Sequence, residues 1–123
     1  MRSAPHAAAA TVAVFLLAAP AALAHPKVNA TSPAGGATVA ASPAELRITF
    51  SEGVLPKFSG VILVDPKGAV VKTGPARVDG ANKKVLIVPV VGALAPGVYK
   101  VTWHAVSRDT HRVSGTFSFT VGG

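Results

Sequence analysis

The stretch Val98-Tyr-Lys-Val-Thr-Trp-His-Ala-Val106 decides the fold of this 123-residue chain. Its side chains alternate, so that Tyr99, Val101, Trp103 and Ala105 share one face, as in a β-strand with one buried side. A Pro-Gly pair precedes the stretch, which is typical of a strand that begins after a tight turn. We therefore predict a long strand here and look for its partners.

Other segments carry the same signal. Glu45–Phe50 and Thr116–Val121 alternate, and Gly60–Val64 is a continuous apolar strand that ends at a Pro-containing turn. Shorter strands are predicted over 27–31, 69–72 and 84–90, the last of which ends at Pro89 or lies at an edge there. No segment has a sustained helical period. About seven short strands predict an all-β protein, a Greek-key β-sandwich or barrel, without internal repeats or a second domain.

The N-terminal segment has a different composition. Arg2 is followed by an uncharged, apolar run over Ala7–Ala24 that ends in small residues. This is the plan of a secretory signal peptide, and the alternative is a membrane anchor. Pro20 and the small-residue ending favour cleavage after Ala24. We expect a signal peptide over 1–24 and one periplasmic domain over 25–123, with no membrane insertion after cleavage.

The composition excludes several kinds of site. There is no Cys, and the single Met is Met1, which leaves with the signal peptide. A disulfide framework, a thiolate zinc site, a Cys nucleophile and a Met-lined Cu(I) site are therefore excluded. Lys and Arg total 12 against 5 Asp and Glu, but no basic run is longer than two residues. This spacing favours a solvated surface over a nucleic-acid or lipid site.

His25 becomes the first residue of the cleaved chain. It then offers two nitrogen donors, the α-amine and an imidazole nitrogen, which together chelate one metal ion. Pro26 follows and has no amide N–H, so a metal cannot recruit the next backbone nitrogen. The remaining ligands must come from elsewhere in the fold. The alternative is a terminal histidine without a role.

A second donor pair follows the Trp103 strand. Asp109 and His111 are two residues apart, so in extended backbone they project to the same side. The alternative is an ordinary turn in which Asp109 bonds its own backbone. His104 lies on the face opposite Trp103 and is expected to be a sheet-surface residue. Together with His25, the pair forms a set of three nitrogens and one oxygen, which suits Cu(II).

At these residues the sequence resembles the CopC family, the small exported copper-binding proteins of bacterial copper resistance and homeostasis. The resemblance covers essentially all of the chain after the signal peptide. It rests on His25–Val28, Ile48–Glu52, Phe58–Gly60, Leu94–His111 and Gly115–Phe119.

The resemblance implies a cupredoxin-like or immunoglobulin-like fold and a Cu(II) site near one end. Its ligands would be the amine and ring of His25, Asp109 and the ring of His111. Glu52 matches a family glutamate near the copper and is expected as a weak axial or outer partner, or else as a solvent-exposed turn carboxylate. Some family members carry a Met-rich Cu(I) loop, but Val64–Gly74 contains no Met or His. A Cu(II)-only protein is therefore expected.

We expect a monomeric exported protein, not an enzyme, that sequesters Cu(II) or hands it over. The resemblance also implies an inner-membrane partner of the CopD type. Two alternatives remain open from the sequence. One is a metal-free immunoglobulin-like interaction domain. The other is an oxidative copper enzyme with a histidine brace, although the charge of Asp109 disfavours the reduction to Cu(I) that such a catalyst requires.

Overall fold

A computed structural model of the protein describes residues 26–122. The predicted signal peptide and His25 lie outside the described residues. Within the described range the chain forms nine β-strands and one 3-10 helix, Pro56–Phe58. The strands are β1 Val28–Ser32, β2 Thr38–Val39, β3 Glu45–Phe50, β4 Gly60–Val64, β5 Val70–Val71, β6 Arg77–Asp79, β7 Asn82–Pro89, β8 Gly97–Val106 and β9 Arg112–Val121.

The strands form two sheets that enclose one core. The first sheet has the order β1-β3-β7-β6, and the second has the order β2-β9-β8-β4-β5. The short pair β2 and β9 is parallel, and the other paired strands are antiparallel. The prediction of an all-β sandwich is confirmed. Among the described residues, no helix has the length and apolar character needed to cross a membrane.

The predicted alternation of β3 and β8 builds the core between the sheets. Phe50 of β3 meets Trp103 of β8 edge to face, with ring centroids 5.3 Å apart. Tyr99 stacks on Phe119 at 5.6 Å. The indole of Trp103 lies against Gly115, where an added Cβ would come within 2.6 Å of the ring. These contacts pack β8 against β3 and β9, and the loop that joins β8 to β9 carries the predicted ligands Asp109 and His111.

The strand prediction was incomplete in two ways. β2 and β6 were not predicted, because two or three residues are too few to show an alternation. β5 is as short, but a strong turn signal precedes it and indicated a return strand. β9 begins at Arg112 and not at Thr116, because its first half pairs with β8 while remaining largely exposed. β7 ends at Pro89 as predicted, although it lies between β3 and β6 and not at an edge.

One end of the sandwich collects the segments that carry the predicted site. We call it the loop end: β1 and β9 begin there, and β3 and β8 end there. Val106 of β8 pairs with Arg112 of β9, so residues 107–111 form the loop that joins them. Val54, in the segment after β3, bridges to Ser107 of this loop. The fold thus brings Glu52, Asp109 and His111 to the same end of the molecule.

Candidate metal centre

The loop 107–111 is a closed turn. The Ser107 N–H donates to the carbonyl of His111 at 3.0 Å, and the Thr110 N–H donates to the carbonyl of Ser107 at 2.9 Å. Thr110 has a φ of 69°, in the left-handed region that β-branched residues rarely adopt. The prediction of extended backbone between Asp109 and His111 is therefore wrong, because the chain reverses within this loop.

The turn nevertheless brings the two predicted side chains together. Oδ2 of Asp109 lies 3.1 Å from Nδ1 of His111. The carboxylate is about half exposed, with 51% of its side-chain surface accessible, against 28% for the imidazole. Nδ1 of His111 is itself buried, whereas the neighbouring carboxylate of Asp109 is reachable from solvent. A carboxylate oxygen and an imidazole nitrogen are two of the atoms that Cu(II) binds well.

The buried side chain of Ser107 contacts Asp109 from the side of the core. It is fully buried, and its hydroxyl donates a short hydrogen bond to Oδ1 of Asp109. Oγ of Ser107 also accepts the backbone N–H of His111 at 3.2 Å. The Ser107 hydroxyl, helped by His111 and opposed by desolvation, holds the pKa of Asp109 below its usual value. Asp109 is therefore a carboxylate whose orientation is set by a buried neighbour.

Sequence reasoning did not single out Ser107, although a signal was present. The inward positions of β8 are Tyr99, Val101, Trp103 and Ala105, and the same alternation continues to residue 107. A hydroxyl at an inward position needs a hydrogen-bonding partner. That requirement points to the neighbouring loop, which carries Asp109.

The loop that follows β3 runs beside this turn. The Leu55 N–H donates to the carbonyl of Val106 at 2.8 Å, next to the bridge between Val54 and Ser107. Glu52 belongs to the same loop and is half-buried. Its segment therefore lies at the loop end, and its role as an axial or outer partner of the metal stays a prediction.

The beginning of β1 is anchored at the same end. Pro26 is buried, and the Lys27 N–H donates to Oγ of Ser51 at 2.9 Å. In return, the Ser51 N–H donates to the carbonyl of Lys27 at 2.8 Å. The backbone of Lys27 is thus bonded to Ser51, the residue directly before Glu52. His25 itself lies outside the described residues.

His104 is separated from the predicted ligands. It is exposed on the outer face of the five-stranded sheet, between Gly60 of β4 and Ser114 of β9. Its ring covers Gly60, where an added Cβ would lie 3.3 Å from Cε1. The prediction that His104 is a sheet-surface residue is confirmed.

The described part of the site supplies two candidate ligands. Across residues 26–122, no three His, Asp or Glu side chains converge as a metal-binding group. The pair of Asp109 and His111 offers oxygen and nitrogen but no sulfur. Its chemistry suits Cu(II), provided that further donors complete the coordination.

A protein-family model and a relative of known name both match most of this chain. Residues 28–122 match the family described as CopC domain. Copper resistance protein C of Xanthomonas campestris pv. juglandis is 40% identical over 110 residues, which cover 85% of this chain and 86% of that protein.

Solved structures agree with the sequence match. The crystal structure of CopC from Methylosinus trichosporium OB3b superposes with a TM-score of 0.74 at 32% identity, over 80% of this chain and 94% of that one. PcoC, a methionine-rich copper resistance protein from Escherichia coli, gives a TM-score of 0.68 at 33% identity, over 80% and 99% of the two chains.

Proposed function

The chain belongs to the CopC family, and on that premise we propose that it is an exported Cu(II)-binding protein of copper resistance and homeostasis. Its ligands in this proposal are the α-amine and ring of His25, the carboxylate of Asp109 and the ring of His111. Glu52 is proposed as a weak axial or outer partner. The protein sequesters Cu(II) in the periplasm or hands it over, and an inner-membrane partner of the CopD type is the proposed recipient.

The observation that carries this proposal is the approach of Asp109 to His111. Their side chains lie 3.1 Å apart in a turn that Ser107 fixes from the core. The buried Pro26 and the hydrogen bonds of Lys27 to Ser51 hold the start of β1 at the same end of the sandwich. Because His25 is bonded to Pro26, this anchoring supports the proposal that the terminal ligand is supplied at the end that carries Asp109 and His111.

The absence of sulfur supports Cu(II) over Cu(I). The only Met is residue 1, which the proposed cleavage removes, and the chain has no Cys. The turn between β4 and β5, within Val64–Gly74, also lacks Met and His. Imidazole, amine and carboxylate donors favour Cu(II), whereas thioether and thiolate ligands favour Cu(I). The charge of Asp109 further disfavours reduction, which supports binding over oxidative catalysis.

The chain's own residues determine how copper binds and leaves. The imidazoles and the amine must be deprotonated to bind metal, so binding releases protons. Asp109 already carries its charge, because its pKa is lowered. The site therefore loses copper when protons compete for the nitrogens. We propose that the protein does this in the periplasm as a monomer.

The direct test is to cap the proposed terminal ligand. We would purify the protein after export and verify by mass spectrometry that it begins at His25. A matched protein extended by Ser-Pro before His25 has no free amine at that residue, and the added proline has no N–H from which a new terminal chelate could form. Cu(II) affinity should fall at least about 100-fold in the extended protein, and electron paramagnetic resonance should report fewer nitrogens.

Two histidine variants provide the matched comparison. His111→Ala should weaken Cu(II) binding as strongly as the extension does, whereas His104→Ala should leave it unchanged, because His104 lies on the outer sheet face. Full binding by the extended protein would refute the terminal ligand. Full binding by His111→Ala would refute the whole site.

A further inference from the structure

Five exposed cations lie at the loop end, although they come from separate parts of the chain. We call them the basic rim. They are Lys27, Lys57, Lys83, Arg108 and Arg112. The sequence spaces them as ordinary surface residues, and the fold brings them together around the pair of Asp109 and His111.

Backbone contacts fix the position of the rim. Lys27 is bonded through its backbone to Ser51, directly before Glu52. Lys57 lies in the 3-10 helix Pro56–Phe58, and Oγ of the following Ser59 accepts the Val106 N–H at 3.1 Å. The first segment is thus joined to the loop after β3, and the second to the end of β8.

Gly53 shows how close two members of the rim come. A Cβ added at Gly53 would lie 3.5 Å from Cδ of Arg108 and 3.7 Å from Cβ of Lys83. The Val54 N–H also donates to the carbonyl of Lys83 at 3.1 Å. The loop after β3 thus passes between these two side chains and joins them into one surface.

The members of the basic rim lack the acidic partners that the two arginines outside the rim have. Arg47 forms ion pairs with Glu45 and Asp79, and Arg77 pairs with Glu45. Within residues 26–122, no member of the rim forms an ion pair with a carboxylate. The carboxylates at this end are Glu52 and Asp109, which the proposed function uses for copper. Because like charges repel, the rim does not help to attract a cupric ion.

An exposed aromatic ring adjoins the rim. Phe58 has 52% of its surface accessible, and Nζ of Lys57 lies 5.7 Å from its ring centroid. Aromatic and arginine side chains are enriched in protein–protein interfaces. Cations without acidic partners, one of which lies beside an exposed aromatic ring, therefore form a surface suited to a protein of opposite charge.

We propose that the basic rim and Phe58 form a docking surface for an acidic segment of a protein that exchanges copper with the loop end. This inference rests on the proposed function. A protein that accepts Cu(II) presents carboxylates and imidazoles, so its surface near the metal is negative. Opposite charges raise association rates by about 10- to 1000-fold. A lipid surface attracts the same cations but supplies no imidazole to take the metal.

The test compares two charge reversals of equal size. The rim variant is K27E/K57E/K83E. The far variant is K67E/K72E/K100E, which changes exposed lysines away from the loop end. The probe is a glutamate-rich peptide without His, Cys or Met, titrated into the 15N-labelled protein after export.

In the unchanged protein, amide shifts should be confined to residue 27, the segment 51–58, residue 83 and the segment 107–112. The rim variant should bind the peptide at least about tenfold more weakly, and the far variant should stay within about twofold. About 0.5 M NaCl should abolish the shifts, because the attraction is screened. Phe58→Ala should weaken binding without changing this salt dependence.

Other outcomes overturn the proposal. Equal weakening in both triple variants would mean that the peptide senses net charge and not a surface. Binding to phosphatidylglycerol vesicles without peptide shifts would assign the rim to a lipid surface. If the triple rim variant does not fold, Lys57→Glu against Lys67→Glu gives the same comparison, and equal affinities would again refute the surface.

Copper binding is measured separately, so that the two proposals fail independently. The rim variant should keep the Cu(II) spectrum of the unchanged protein, because none of its substitutions removes a proposed ligand. An unchanged protein that binds no Cu(II) but retains the localised peptide shifts would refute the proposed function and leave the acidic docking surface standing.

Discussion

Two loops at opposite ends of the sandwich each contain an aspartate and use it differently. In the turn between β4 and β5, Oδ1 of Asp65 accepts the backbone N–H groups of Lys67 and Ala69 at 2.8 and 2.9 Å. In the loop 107–111, the carboxylate of Asp109 instead contacts the side chains of Ser107 and His111. The first aspartate stabilises the backbone of its own turn, whereas the second is oriented by two side chains of its loop and stays half exposed.

The left-handed position of each loop shows the same contrast. In the first turn it is occupied by Gly68, with a φ of 85°, which glycine adopts without steric cost. In the second it is occupied by Thr110, with a φ of 69°. A strained non-glycine residue persists where the surroundings determine its conformation, often at functional sites. We therefore interpret the first turn as structural and propose a functional role for the second.

Removing the two aspartates should give opposite results, and this is the largest expected effect. Asp109→Ala should lower Cu(II) affinity at least about 100-fold, because it removes a proposed ligand, beyond the 10- to 100-fold that outer contacts cost. Asp65→Ala should leave copper binding unchanged but lower the free energy of unfolding by about 1 kcal/mol, because two backbone donors lose their acceptor.

Isothermal titration with Cu(II) and urea unfolding of the metal-free protein measure the two effects. If Asp109→Ala loses stability but keeps copper affinity, the loop 107–111 is a structural turn like the first one, and the functional interpretation fails.

The next prediction compares a buried serine that orients Asp109 with a buried serine that does not. Ser107→Ala should lower Cu(II) affinity by about 10- to 100-fold, as expected when an outer contact of a ligand is lost. Ser59→Ala is the matched control, since Ser59 is buried and its hydroxyl bridges Leu55 and Val106 without touching Asp109.

Both serine variants should lose about 1–2 kcal/mol of unfolding free energy. Only Ser107→Ala should also change the Cu(II) spectrum in electron paramagnetic resonance. The same spectral change in Ser59→Ala would show that general loosening of the loop end, and not the contact with Asp109, is responsible.

A smaller effect concerns the left-handed residues. Thr110→Gly removes a steric cost of about 1–2 kcal/mol but makes the unfolded chain more flexible, so stability should rise by less than about 1 kcal/mol. Gly68→Ala introduces that cost and should lower stability by about 1 kcal/mol. Cu(II) affinity should fall a few-fold in Thr110→Gly and stay constant in Gly68→Ala. A stability loss in Thr110→Gly would contradict the assignment of strain.

Much of the fold follows from local pattern. The alternation of β3 and β8 identifies their buried faces, and a Pro-containing turn marks the end of β4. The short strands β2 and β6 do not follow, because their pairing depends on neighbours that are distant in sequence. The position of β7 between β3 and β6 could not be predicted either, because strand order is a property of the whole fold.

The site was predictable only as far as sequence spacing reaches. Asp109 and His111 were predicted together because they are two residues apart, but the extended geometry given for them was wrong. The roles of Ser107 and Thr110 depend on hydrogen bonds and a backbone angle that spacing does not encode. The basic rim depends on contacts between segments that are distant in sequence. Its residues are therefore scattered along the chain although they lie at the same end of the fold.

The last prediction is that, in acid, copper is lost before the protein unfolds. The proposed site needs deprotonated imidazole and amine nitrogens, and in model compounds such nitrogens take up protons near pH values of about 6.5 and about 8. Cu(II) affinity should therefore fall steeply below about pH 6, while the fold persists. Copper occupancy by electron paramagnetic resonance and secondary structure by circular dichroism, followed in one pH titration, should give two separate transitions.

The fold should weaken only at lower pH, partly through Asp79. Its pKa is lowered by the Ala81 backbone N–H and by Arg47, so its carboxylate is more stable in the folded than in the unfolded chain. That contribution is present above the unfolded value of about 3.9 and is lost as the pH falls through the folded pKa. Asp79→Asn should therefore flatten the fall in melting temperature below about pH 4 without moving the copper transition. Coincident transitions would mean that protonating the nitrogens also unfolds the loop end, which would make that loop part of the structural framework.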